Sequence, residues 1–187
     1  MTTEQLQAII DRLDLNNHIT IEEIPNLDLY MDQLITLFEN RLGQTKRTSE
    51  DKLLTKTMIN NYTKNKLLIP AHKKKYTKDH ILLMLLIYQL KQVTSMDDIK
   101  VLFSSLMKDD AINHDKLHDT YQNYLNCQNE LLESFKENVN QIDYTIKEKS
   151  AGSKTNTTDP LLMILLLFEQ SLHYKRLAEK LLDETFK

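Results

Sequence analysis

The chain has 187 residues, yet it contains only 2 glycines and 3 prolines, where average usage would give about 13 and about 9. Sandwiches and barrels need frequent turns, and tight hairpins favour residues that tolerate positive φ, so β-rich folds and glycine-rich phosphate loops are both excluded. The 41% apolar and 27% charged content is that of an ordinary globular protein, and the expectation is an all-α fold that builds its core without a staple.

One cysteine, Cys127, rules out an internal disulfide framework and a multi-cysteine zinc site, and it reads as a helix-packing residue in a reducing compartment. The opening Met1-Thr2-Thr3-Glu4-Gln5 lacks the pattern of a secretory signal. The longest apolar runs, Ile81–Tyr88 and Leu161–Phe168, hold eight residues each, too few to cross a bilayer. The sequence therefore predicts a cytoplasmic protein without membrane contact.

The net charge of −3 conceals an asymmetry. From Lys46 to Lys78 there are 10 basic and 2 acidic residues, a local charge of +8, while the remaining 14 basic and 25 acidic residues carry −11. A basic block inside an acidic chain points to an anionic partner for that block alone.

In chain order, helical spacing predicts a first helix with Leu6, Ile9, Ile10 and Leu13 on one face. Thr20 and Glu23 have capping-box spacing. A helix from Leu27 to Leu42 follows, burying Leu27, Tyr30, Met31, Leu34, Ile35, Phe38 and Leu42, with Gly43 as its C′ residue. After a polar loop, a helix at 55–66 turns Met58, Ile59, Tyr62 and Leu67 inward. It leaves Lys56, Asn60, Asn61 and Lys64 for solvent or a ligand. Residues 71–76 form a short basic excursion, Lys73-Lys74-Lys75, ending in Tyr76.

Thr77 then caps a helix at 78–92 that is apolar on every side, the expected centre of the core. Ser95 and Asp98 open another at 96–107. A long pattern over 109–147 places Leu117, Tyr121, Tyr124, Gln128, Leu131, Phe135 and Ile142 along one stripe. Leu125, Leu132, Val139 and Ile146 lie beside it, and the stripe needs a helical partner. Residues 150–159 read as a linker, and Pro160 opens a final helix. The divisions expected are 1–43 (N-terminal helices), 44–107 (basic core) and 108–187 (C-terminal helices).

Lysines neutralise phosphates and release counterions, while asparagine and lysine on one helix face can read base edges in a major groove. The segment Met58-Ile59-Asn60-Asn61-Tyr62 through Leu67-Leu68-x-Pro70 resembles the helix-to-wing region of MerR-type regulators. Lys75-Tyr76-Thr77 is similar to that family's wing exit, and Ser95 to Leu102 to its next helix. The resemblance covers about residues 55–106. It implies a winged helix-turn-helix in which helix 55–66 enters the major groove and Lys73, Lys74 and Lys75 grip phosphates as a wing. Tyr62 would be the phosphate-proximal tyrosine, and Lys75 would replace the family's wing arginine. Asn60 stands where those regulators carry arginine, Lys66 where they carry glycine, and the 43–54 connection exceeds a standard helix-turn-helix turn. The phrases IPNLDLYMDQ and LTKTMINNYTKNKLL also resemble an uncharacterised domain family of Gram-positive bacteria, over about Ile19 to Leu106.

Among the histidines, His114 and His118 sit one helical turn apart near Asp110, Asp115 and Asp119, a spacing that can hold a metal. No third ligand follows from the spacing, so the pattern reads as an exposed polar helix end, with no metal, cofactor or catalytic residue expected. The resulting expectation is a non-enzymatic transcriptional regulator that binds double-stranded DNA through Lys56, Asn60, Asn61, Tyr62, Lys64, Lys73, Lys74, Lys75 and Tyr76. It would form a homodimer through its C-terminal helices, with room for a small-molecule effector. The alternative, motivated by Asn60 and Lys66, is a helical protein-interaction adaptor that has lost DNA binding.

Overall fold

Local caps set most of the helix starts. In the computed structural model, which describes residues 1–108, 111–149 and 157–187, Thr2 caps α1 (Thr3–Arg12) by accepting the Gln5 N–H, while the Gln5 side chain accepts the Thr2 N–H. Thr55 caps α3 (Lys56–Lys64) through the Met58 N–H. Ser95 does the same for α5 (Met96–Ser104) through the Asp98 N–H. Each such cap supplies an acceptor to an otherwise orphaned amide, worth about 1 kcal/mol. Among the described residues the fold is all-α, with seven α-helices and two minimal antiparallel strand pairs.

α2 (Met31–Leu42) starts four residues later than its apolar spacing predicts. Leu29 and Tyr30 instead form β1, pairing with Lys75 and Tyr76 of β2 in the register Leu29↔Tyr76 and Tyr30↔Lys75. Leu27 and Tyr30 are correspondingly 62% and 52% exposed, not buried. Gly43 is not the left-handed C′ residue expected: its φ is −56° and it begins a single 3-10 turn, Gly43–Thr45. The Thr20–Glu23 pair makes its hydrogen bond, Thr20 N–H to Glu23 Oε2 at 2.9 Å, but closes a turn, not a helix.

The chain divides into two compact units, residues 17–126 with 181–187 and residues 1–16 with 127–180. This division differs from the boundaries at 43/44 and 107/108 because of where the apolar side chains find partners. In the central unit, α4 (Lys78–Leu90) is buried on every side: Ile81, Leu82, Met84 and Ile87 have no measurable exposure. Leu34 and Phe38 of α2, Ile59 of α3, Ile99 of α5 and Leu117 of α6 (His114–Lys149) join the same core. A short hairpin pairs β3 (Met107–Lys108) with β4 (Ala111–Ile112) where the sequence predicts helix. Asp109, Asp110, Gly152 and the linker as far as residue 156 lie outside the described residues.

In the other unit, Leu6 and Ile10 of α1 pack with Val139 and Ile146 of α6 and Met163 of α7 (Pro160–Phe186). Buried Asp143 accepts hydrogen bonds from Thr3 Oγ1 at 3.0 Å, from Lys147 Nζ at 2.8 Å and from Thr158 Oγ1. Burial alone would raise its pKa, but these donors lower it below the ordinary carboxylate range. The predicted stripe of α6 is thus buried towards its two ends, while Leu131 and Phe135 between them remain 60% and 38% exposed. Cys127 is exposed, not a packing residue. Among the described residues no helix is long and apolar enough to cross a membrane.

Candidate nucleic-acid interface

α3 turns Ile59 and Tyr62 into the core, which fixes the face left outside. That face carries Lys56, Asn60 and Lys64 at four-residue spacing, with Asn61 beside them, all exposed. Lys56 is ion-paired with Asp32 at 2.7 Å, so part of its charge is already matched.

The helix ends in a Schellman motif. The Leu67 N–H donates to the Tyr62 carbonyl at 2.9 Å and the Lys66 N–H to the Thr63 carbonyl at 3.0 Å. The motif needs a left-handed residue at its C′ position, and Lys66 fills it with φ 58°. Glycine scarcity therefore did not remove left-handed backbone from the chain. It placed non-glycine residues there.

The same holds at the basic excursion. His72 and Lys75 bridge, with the Lys75 N–H donating to the His72 carbonyl at 2.9 Å. Lys73 and Lys74 between them have φ 49° and 64°. Positive φ at both central residues is the signature of a type I′ hairpin, where asparagine and glycine are the usual occupants. Both lysines are exposed, whereas Lys75 is half-buried with its ammonium 5.3 Å from the Tyr30 ring centroid across the strand pair.

Tyr62 is inward as its helical spacing predicts, but neither it nor Tyr76 lies on the exposed surface where the resemblance would put a phosphate contact. Tyr62 and Tyr76 are each only 5% exposed, and burial raises the pKa of both hydroxyls. Tyr76 meets His80 edge-on, ring centroids 5.6 Å apart. His80 Nδ1 in turn accepts the Thr77 N–H at 3.1 Å and so completes the cap of α4. Burial lowers the His80 pKa against the opposing pull of the Pro70 and Ile69 carbonyls. These rings support the hairpin from inside, and the polar and basic side chains remain outside.

One lysine was not singled out from the sequence. Lys100 of α5 joins Lys64, Asn65 and Lys66 around a cleft of about 320 Å³ whose remaining walls are Met96 and Asp97 in the first turn of α5. Three ammonium groups beside a helix N-terminus favour an anion. Lys100 was legible only as a polar position within a predicted helix, because its partners come from the end of α3. Lys64, Lys66, Lys73, Lys74 and Lys100 have no ion pair among the described residues.

A family model described as a domain of unknown function, DUF1836, matches residues 19–124. The chain belongs to that family. The match coincides closely with the central unit and runs past Leu106 into α6. The family's description carries no activity. No curated protein and no solved structure matches the chain.

Proposed function

We propose that the protein is a DNA-binding regulator in which α3 lies in the major groove of a duplex and the Lys73–Lys75 hairpin holds the phosphate backbone as a wing. The observation that carries this reading is the left-handed backbone at Lys66, Lys73 and Lys74, with φ 58°, 49° and 64°. A left-handed L-residue costs about 1–2 kcal/mol, and whole domains are stable by only about 5–15 kcal/mol. Glycine would relieve that cost at every one of the three sites, whereas lysine keeps a charge there. Among the described residues Asp14 is also left-handed, but the other three such residues are all lysines of the basic segment, and strain kept there supports a functional role for them.

The resemblance to MerR-type regulators over 55–106 agrees with this assignment. Asn60 and Asn61 on the exposed face of α3 are of a type that pairs with adenine edges. Lys64, Lys66 and Lys100 around their cleft offer a second phosphate seat. Selection of fragmented genomic DNA by the purified protein tests the reading. Enrichment of a common sequence supports it, and failure to retain any fragment at low salt overturns it.

The same reading includes a homodimer through the C-terminal helices. Leu161, Leu165, Phe168 and Leu172 follow heptad-like spacing on α7 and are 65%, 56%, 72% and 37% exposed. A second copy presents the same face, so the two stripes are self-complementary. Sedimentation equilibrium should give twice the chain mass, falling to one chain mass in Phe168→Glu. A monomeric wild type removes the dimer from the account.

The alternative is a helical interaction adaptor that has lost DNA binding, and the Lys56–Asp32 ion pair favours it by withdrawing one cation from the groove-facing helix. A single protein partner recovered after nuclease treatment, with no duplex binding, is its expected signature.

A further inference from the structure

The sequence offered two histidines one turn apart and no third ligand. The fold supplies one. Asp79, the second residue of α4, places its Oδ1 at 2.9 Å from His114 Nδ1 and at 2.9 Å from His118 Nε2. These three ligand atoms all lie within 4.8 Å of one another. Asp115 and Asp119, the carboxylates nearest in sequence, are not part of the group.

The placement is rigid from both sides. Leu117, between the two histidines in sequence, has no exposure and sets the rotation of α6. Asn113 fixes its first turn by accepting the Lys116 N–H at 3.1 Å. Asp79 precedes His80 and Ile81, both buried, and Thr77 caps the helix that carries it. The two imidazoles face each other with centroids 4.0 Å apart and planes tilted by 38°. Both converge on one carboxylate oxygen.

We infer that Asp79, His114 and His118 form a binding site for a divalent transition metal of the zinc class. Two imidazoles and one carboxylate are the donor set such ions prefer, whereas calcium and magnesium require oxygen donors throughout. Bonds of about 2.1 Å place the ligand atoms of a tetrahedral site roughly 3.4 Å apart. The carboxylate therefore need open from each imidazole nitrogen by only about 0.5 Å, with the two nitrogens already within 4.8 Å of each other. A cleft of about 310 Å³ adjoins the site, lined by Asp79 and His114 together with Pro25, Asn26, Asp28 and Lys78. It leaves the fourth coordination position to water or an external ligand. The ion ties the start of α6 to the start of α4, across 35 residues of sequence at its nearer histidine. This site shares no residue with the basic surface and stands independently of the DNA-binding reading.

The test uses the full chain without a polyhistidine tag, stripped with chelator and titrated with zinc by calorimetry and with cobalt by visible absorption. One ion per chain should bind, and the melting temperature should rise with zinc concentration. Asp79→Asn keeps the hydrogen-bonding shape but weakens the ligand, and His114→Ala removes an exposed one. Each should lower zinc affinity by more than the roughly 10–100-fold typical of an outer-shell partner. His114 and His118, one turn apart, could still bind zinc weakly through their two nitrogens alone. Unchanged affinity in Asp79→Asn would therefore overturn the three-ligand site, as would the absence of saturable one-to-one binding in the wild type.

Discussion

The Tyr121 hydroxyl donates a 2.7 Å hydrogen bond to the carbonyl of Ile19, joining residues 102 apart in sequence. Both residues are buried, at 3% and 1% exposure. They lie near the two ends of the family domain at 19–124, so one bond between α6 and the segment before α2 closes the unit. Burial, with smaller contributions from Tyr124 and Glu23, raises the Tyr121 pKa and keeps the hydroxyl protonated as a donor.

Tyr121→Phe leaves the Ile19 carbonyl buried without that donor, while the ring can still fill its space. The expected loss is about 1–2 kcal/mol, which lowers the melting temperature by roughly 3–8 °C. A melting curve unchanged within 1 °C (about 0.25–0.5 kcal/mol on the same scale) would show that water satisfies the carbonyl and that the bond does not close the domain.

Lys66→Gly should stabilise the protein while weakening its hold on DNA. Glycine removes the left-handed strain at φ 58° but loosens the unfolded chain, so the net gain is up to about 1 kcal/mol. Binding should weaken, with the salt slope reduced by about one. Urea denaturation and anisotropy on the same preparation separate the two effects. Lower stability would contradict the strain argument, and unchanged binding would remove Lys66 from the interface.

The helices that Thr77 and Ser95 open were legible in the sequence because each cap reads a residue three positions away. By contrast, α1 and α3 were legible from apolar spacing, and their caps at Thr2 and Thr55 emerged only in the structure. The start of α2 was not legible, because Leu29 and Tyr30 are claimed by β2, whose residues lie about 45 positions further on. The outward face of α3 could be read from the inward positions of Ile59 and Tyr62, but the burial of Tyr76 against His80 required the packed hairpin. The left-handed lysines escaped for a related reason. The chain reversal after α3 and the hairpin register fix the φ values at 66, 73 and 74, and residue type there runs against the usual preference. Asp79 carried no local signal as a partner of His114 and His118, since only the docking of α4 against α6 brings them together.

Acid should destabilise the central unit through His18. Burial lowers its pKa below the ordinary value, so the unfolded chain binds a proton that the folded chain resists. Stability is then full above about pH 6.5 and is lost as pH falls through that value towards the lower folded one. Urea midpoints in chelator-containing buffer at pH 7.5, 6.5 and 5.5 measure the effect. His18→Gln should lose less stability than wild type over this interval. An equal loss would place the acid sensitivity elsewhere.

The salt dependence of duplex binding tests the central claim most directly. Lys64, Lys66, Lys73, Lys74, Lys75 and Lys100 offer up to six phosphate contacts, for a slope of log K against log salt approaching −5 (about −0.9 per contact). Anisotropy of a labelled operator fragment from 50 to 300 mM salt, conditions within the range where counterion release dominates, should give a steep line. Replacing Lys73, Lys74 and Lys75 by Gln should flatten it by about 2–3. A slope unchanged by the triple replacement, or no binding at the lowest salt, would contradict the account.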